Sequence, residues 1–134
     1  MIRTMKKLIS FLLVVLSFHV NGEHLVFIGS TDIRSDYYLD TDSISVDGDL
    51  VKHHEFVNYY TPLKFGDKNV VSSHSTVMSD CKNRRERTLS LIDYSQKDGL
   101  GSVVNIDVTP HDWYVPVKGS ISEVFFNKVC ENVK

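Results

Sequence analysis

Cysteine is scarce in this chain: Cys81 and Cys130 are the only two in 134 residues, and they form no CxxC pair. A redox-active dithiol or a cysteine-built zinc site needs closely spaced sulfurs, so both classes drop out. No cysteine follows the apolar N-terminal run, where a lipid-accepting residue would stand, and no lipid anchor is expected. That run, Leu8 to Phe18, is about 11 residues against the roughly 20 that cross a bilayer, so no membrane span is expected either. An excess of base is also missing, with 15 Lys and Arg against 17 Asp and Glu. Nucleic acid, which is held by neutralising its phosphates, is excluded as a partner on that balance.

Motifs for chemistry are missing too. Asp40, Asp42, Asp47 and Asp49 suggest calcium, but an EF-hand loop counted from Asp40 puts Ile44 and Ser45 where an oxygen ligand and a glycine are needed. Turn formation accounts for these acids, because Asp accepts a hydrogen bond from the backbone two residues on. The serines between Val70 and Asp80 include no GxSxG elbow. No cofactor and no metal are expected, and no reaction follows from the residues.

What is present begins with an export signal. Arg3, Lys6 and Lys7, with no acid among them, precede the apolar run, and Val20 and Gly22 form an acceptable cleavage site. Residues 1–22 are therefore expected to be a signal peptide and residues 23–134 one domain, since 112 residues leave no room for a second core. Removing the three bases of the signal leaves 12 Lys and Arg against 17 Asp and Glu, a net charge of −5 in place of −2. An exported chain meets oxidising surroundings, so Cys81 and Cys130 are expected to pair, and two cysteines allow one connectivity. Closing a loop of about 50 residues stabilises a fold by roughly 4 kcal/mol in the chain-entropy account.

Strand signals then follow one another. His24 to Ser30 and Tyr37 to Asp40 are short and rich in aromatic and β-branched residues. Asp47-Gly48-Asp49 between apolar runs predicts a hairpin into a long third strand from Leu50 to Tyr60, which Pro62, Gly66 and Asp67 end. A serine-rich strand from Val70 to Asp80, another from Arg84 to Tyr94, and an alternating one at Val104, Ile106 and Val108 complete six. After Gly119 the apolar period becomes helical, with Ile121, Val124, Phe125 and Val129 on one stripe and Ser120 with Glu123 as a capping box. The expected class is α+β: an antiparallel sheet of about six strands with a C-terminal helix tied to it by the disulfide. An exposed edge strand permits a dimer without requiring one.

Three candidate sites stand out. The bases Lys82, Arg84, Arg85 and Arg87 could grip carboxylates on a protein partner. Strand alternation places Arg85 and Arg87 on the face of Leu89 and Leu91, where one of them could instead pair with an acid at the core edge. His53 and His54, with Glu55 and His74, could be ligands or acid–base groups because imidazole titrates near neutral pH, but neighbours in a strand point to opposite faces, so His53 and His54 cannot share one metal without a bulge. Trp113 and Tyr114 are expected to be the lid that joins helix to sheet rather than a sugar platform.

Three runs, Tyr37-Tyr38-Leu39-Asp40-Thr41-Asp42-Ser43-Ile44, Ser79-Asp80-Cys81-Lys82-Asn83-Arg84-Arg85-Glu86-Arg87 and Trp113 through Gly119-Ser120 to Cys130, taken in this order, resemble the surface-adhesin protein E-like family of exported bacterial proteins. The resemblance covers essentially all of residues 23–134. It implies a sheet with a C-terminal helix held by a disulfide, matching Cys81 and Cys130, and no catalytic activity. It also implies an adhesin-like role on host matrix or envelope proteins, from the periplasm, the cell surface or the secreted state. The alternative from a different class is a small periplasmic hydrolase using His53 or His54 with Glu55.

Overall fold

A computed structural model describes residues 24–31, 35–131 and 133, so the signal-peptide expectation for residues 1–22 lies outside the described residues. Six strands, β1 (Leu25–Ser30), β2 (Ser35–Asp47), β3 (Leu50–Phe65), β4 (Lys68–Asp80), β5 (Arg85–Tyr94) and β6 (Val103–Asp107), precede one helix, α1 (Ile121–Cys130). They form a single antiparallel sheet in sequence order, each strand paired with its neighbours in the chain. Every connection is local, so short turns suffice. Gly48 and Gly66 open the two tight hairpins at φ of 60° and 62°, a conformation that only glycine adopts without strain.

Two strands run further than their residues suggest. β2 continues to Asp47 because Ser43 stands in for the ladder where register shifts between Asp40 and Ser45: its hydroxyl donates to the Asp40 carbonyl at 2.6 Å and accepts from the His54 amide at 2.7 Å. In the same bulge the Asp42 amide donates to the Asp40 carboxylate at 3.0 Å, the turn chemistry expected of these acids. β3 does not end at Pro62 but runs on to Phe65. The proline lacks an N–H, and it falls where the β3–β4 register shifts between Asn58 and Leu63, so no ladder bond is forfeited.

The helix lies on one face of the sheet. Leu39, Val51, Phe125 and Val129 form the buried core, with Ile28, Tyr37, Ile44, Ile121 and both cysteines packed around it. Cys81, just past β4, is bonded to Cys130 in the last turn of α1, which fixes the far end of the helix to the sheet. At the near end the Glu123 amide donates to the Ser120 hydroxyl at 3.3 Å, and the Glu123 carboxylate accepts from the Gly119 amide at 3.2 Å. A Ser120→Ala substitution is expected to lower stability by about 1 kcal/mol, read as a shift of the urea midpoint with unchanged slope.

The expected helix stripe needs one correction. Val124 is 45 % exposed, and Phe126 is buried in its stead. The turn after β4 folds back over the helix, and the Arg84 guanidinium covers the Phe126 ring 5.1 Å from its centroid.

Candidate protein-binding face

Side chains alternate across a sheet, and the register says which share a face. Leu39, Val51, His53, Glu55, Val77, Ser79 and Glu86 face the helix side, as the pairs Leu39 with Glu55, Val51 with Ser79, His53 with Val77 and Ser79 with Glu86 require. On the other face the pairings chain together into one row that crosses all six strands: Phe27, Tyr38, Phe56, His74, Ile92, Ile106. At about 4.8 Å between strands the row is roughly 24 Å long. The helix lies on the opposite face, and the 3-10 turn Lys97–Gly99 folds onto the neighbouring step of this one, where Asn58 and Asp98 exchange hydrogen bonds at 2.8 and 2.9 Å and the Gly99 amide donates to the Ser72 hydroxyl at 3.0 Å. The row's ends are the most open, Phe27 at 57 % and Ile106 at 59 % exposed.

The rings of the row stand against one another. Phe56 and His74 stack at 4.4 Å with 4° between their planes, His54 meets His74 edge-on at 4.7 Å, and Phe27 meets Tyr38 edge-on at 5.7 Å. Rings stacked across strands turn their faces toward each other and present edges and clefts outward. Such a surface receives interdigitating side chains; it does not offer the flat ring faces on which a sugar stacks.

The four basic candidates divide between the two faces. A register shift between Thr76 and Val77 gives β5 one extra residue, so the alternation expected across Leu89 breaks: Arg85 and Arg87 share the bare face with Ser90 and Ile92, while Leu91 opposes Ser75 on the helix side. Both guanidiniums lie over Trp113, at 4.5 and 5.3 Å from its ring. Arg85 also pairs with Asp80 at 3.0 Å, and Arg87 donates to the His111 carbonyl at 2.9 Å. Hydrogen bonds from Asn83 and then from Arg85 hold the Asp80 carboxyl below the usual carboxylate range. Arg84 is committed to Phe126 at the helix, and Lys82 is an exposed turn residue. Arg85, Arg87 and Trp113 therefore make a corner of the bare face.

Trp113 and Tyr114 belong to a strap that runs along β5 between β6 and α1, and Tyr114 turns to the helix side. Its backbone exchanges two 2.8 Å hydrogen bonds with Glu86, and its hydroxyl donates to the Glu86 carboxylate at 3.0 Å. Glu86 is 1 % exposed and also accepts from Ser79 at 3.2 Å. Burial, then the charge of Glu55, push its pKa up to about 7. Tyr114 is thus fastened to the sheet on the helix side, whereas Trp113, expected to form with it a lid joining helix to sheet, lies on the other face against Arg85 and Arg87.

The histidines separate as alternation demands. His53 is 0 % exposed, bonded through Nε2 to Glu55 at 2.9 Å and stacked near Phe125, so its imidazole is sealed beneath the helix. His54 and His74 lie on the bare face. Among the described residues no group of three or more His, Cys, Asp or Glu could hold a metal ion, and no helix is long and apolar enough to cross a membrane.

A one-layer antiparallel meander with a disulfide-tied C-terminal helix on one face is a small α+β domain. The chain belongs to the surface-adhesin protein E family, whose sequence pattern matches residues 26–131. Crystal form II of Haemophilus influenzae protein E is 17 % identical, with a TM-score of 0.66 over 83 % of this chain and 90 % of that one. Protein E from non-typeable Haemophilus influenzae is 15 % identical, with a TM-score of 0.60 over 84 % of this chain and 81 % of that one. No curated protein sequence matches. Membership supports an adhesin-like role and a location outside the cytoplasm or at the cell surface.

Proposed function

We propose that this chain is a non-enzymatic exported binding module, adhesin-like, that contacts a protein partner through the bare sheet face and its Arg85–Arg87–Trp113 corner. In this reading residues 1–22 direct export, residues 23–134 are the working domain in the periplasm, in the secreted state or at the bacterial surface, and the partner is a host matrix or envelope protein. The observation that carries it is the six-residue row, because a largely apolar band that crosses a whole sheet on the face opposite the helix, with both ends exposed, is how a protein interface presents itself. The arginines add donors for partner carboxylates at one end, and Trp113 holds their forks in place. Lys82 and Arg84, on the turn, lie beside this contact and not within it.

The test uses the exported protein on immobilised extracellular-matrix proteins and in crosslinking capture from the native cell envelope. Phe27→Glu combined with Ile106→Glu leaves the helix-side core untouched and is expected to weaken binding by roughly 30-fold, about 2 kcal/mol of hot-spot energy. Arg85→Ser with Arg87→Ser should weaken it further, whereas Lys82→Ser should not. Parent-level binding by the Phe27 and Ile106 double variant would remove the bare face as the contact.

A further inference from the structure

We propose that the His54–His74 pair makes this contact acid-released: a partner docked on the bare face at neutral pH is let go when His74 takes up a proton at Nε2. The inference rests on the reading of that face as the partner contact and adds its regulation.

Geometry at His74 carries the inference. Its Nε2 is buried and has no hydrogen-bond partner among the described residues. A neutral ring with its proton on Nδ1 leaves only a lone pair there, which is a small loss. A protonated ring puts a charged N–H into the same unpartnered place, a penalty of about 1–3 kcal/mol or more. The stacked Phe56 ring returns some of this as a cation–π contact, roughly 0.5–1 kcal/mol, so the penalty wins. Protonation therefore favours turning the imidazole outward, and that opens the row between Phe56 and Ile92.

The groups around His74 agree in sign. On β3 the His54 ring is 4.7 Å away and carries like charge when both are protonated. From β5 the row neighbour is Ile92, and Ser90 lies one step along; neither titrates near neutral pH. From β2 come the Tyr38 phenol and, paired with His54, Asp40, the one carboxylate whose field welcomes a proton. Burial is the largest influence, His54 the next, and Asp40 the weakest, so the His74 pKa lies below its ordinary 6.5. The unfolded chain then takes up a proton before the folded one does. The neutral arrangement is fully stable above pH 6.5 and loses stability as pH falls through the folded value. A docked partner removes still more water and holds the proton off further, so binding is linked to keeping His74 neutral. Below the free-face value the dissociation constant should rise by up to tenfold per pH unit.

The experiment follows His Cε1–H and Phe56 ring signals by NMR in labelled exported protein from pH 8 to 4.5. The expected result is a His74 midpoint below that of histidine in an unfolded peptide, with the Phe56 ring shifting at the same midpoint. A His74 midpoint at or above 6.5, or a Phe56 ring that ignores it, would overturn the proposal. His74→Phe keeps an aromatic in the row and removes the proton site, with His74→Gln as the second variant should the first not fold. On the immobilised matrix proteins, parent binding should fall on acidification while that of the variant holds. A variant that releases alongside the parent would sink the idea. A parent that binds nothing at any pH would instead remove the functional reading, and the NMR titration would still decide whether acid opens the row.

Discussion

Replacing Cys81 and Cys130 together by serine is expected to destabilise the protein by about 4 kcal/mol, seen as a large fall in urea midpoint between the parent and the double variant. The bond joins residues 49 apart in sequence, so it removes a large loop from the unfolded ensemble. It also acts on a weak point of the native state. α1 has 10 residues, too few to persist alone in water, and it is held by Phe125 and Val129 against Leu39 and Val51. A domain of this size has 5–15 kcal/mol in all, so the loss takes a large share and leaves the helix as the first element to detach. Reductant alone should reproduce the effect in the parent and leave the double variant unchanged. A double variant with the parent midpoint would show that packing alone secures the helix.

This staple was legible because it needed only a count and a compartment. The hairpin at Gly48 was legible for a similarly local reason, since a two-residue turn demands a residue that tolerates positive φ. So was the helix start, where Ser120 and Glu123 satisfy amides within one turn of themselves. Each of these signals is contained in a few consecutive residues.

Features that depend on register were not legible. The extra residue in β5 turns Arg85 and Arg87 to the face opposite Leu91, and nothing near Leu89 in the sequence announces it. The row from Phe27 to Ile106 takes one residue from each of six strands, so no stretch of sequence contains it. Its members do sit at alternating positions among polar residues, but the alternation gives a face only after every shift in pairing is known. Phe126 displaced Val124 from the helix stripe because the 81–84 turn brings Arg84 over it, a contact between distant residues. Glu86 lies among four basic residues in sequence, and no local pattern marks it as the most buried acid of the helix side.

Glu86 also carries the second large effect. Exchanging it for glutamine is expected to stabilise the protein by up to about 3 kcal/mol at pH 8 and by little at pH 4.5. Its folded pKa, about 7, stands above the ordinary 4.5 because burial and Glu55 oppose its charge more than Tyr114, His53 and Ser79 favour it. The sign follows from the raised value: the unfolded chain gives up this proton near pH 4.5 and the folded one only near 7, so stability from this group is full below 4.5 and is lost as pH rises through 7. Glutamine has the same shape and no proton to lose. Its oxygen can accept from Tyr114, its amide can donate to the Ser79 hydroxyl, and the repulsion from Glu55 disappears. Other groups titrate in the same range, His74 with the opposite slope, so the measurement is the difference between parent and Glu86→Gln at each pH and not either curve alone. A difference that does not grow between pH 4.5 and 8 would mean that the carboxyl is not held neutral. The consequence reaches the binding face, because the strap that Glu86 fastens through Tyr114 carries Trp113 on its other side. Above pH 7 the ionised carboxyl gains a stronger bond from Tyr114 but stands buried against Glu55, a net penalty that exposure to water relieves, so the parent's Trp113 indole N–H signal should shift between pH 6 and 8 and that of the glutamine variant should not.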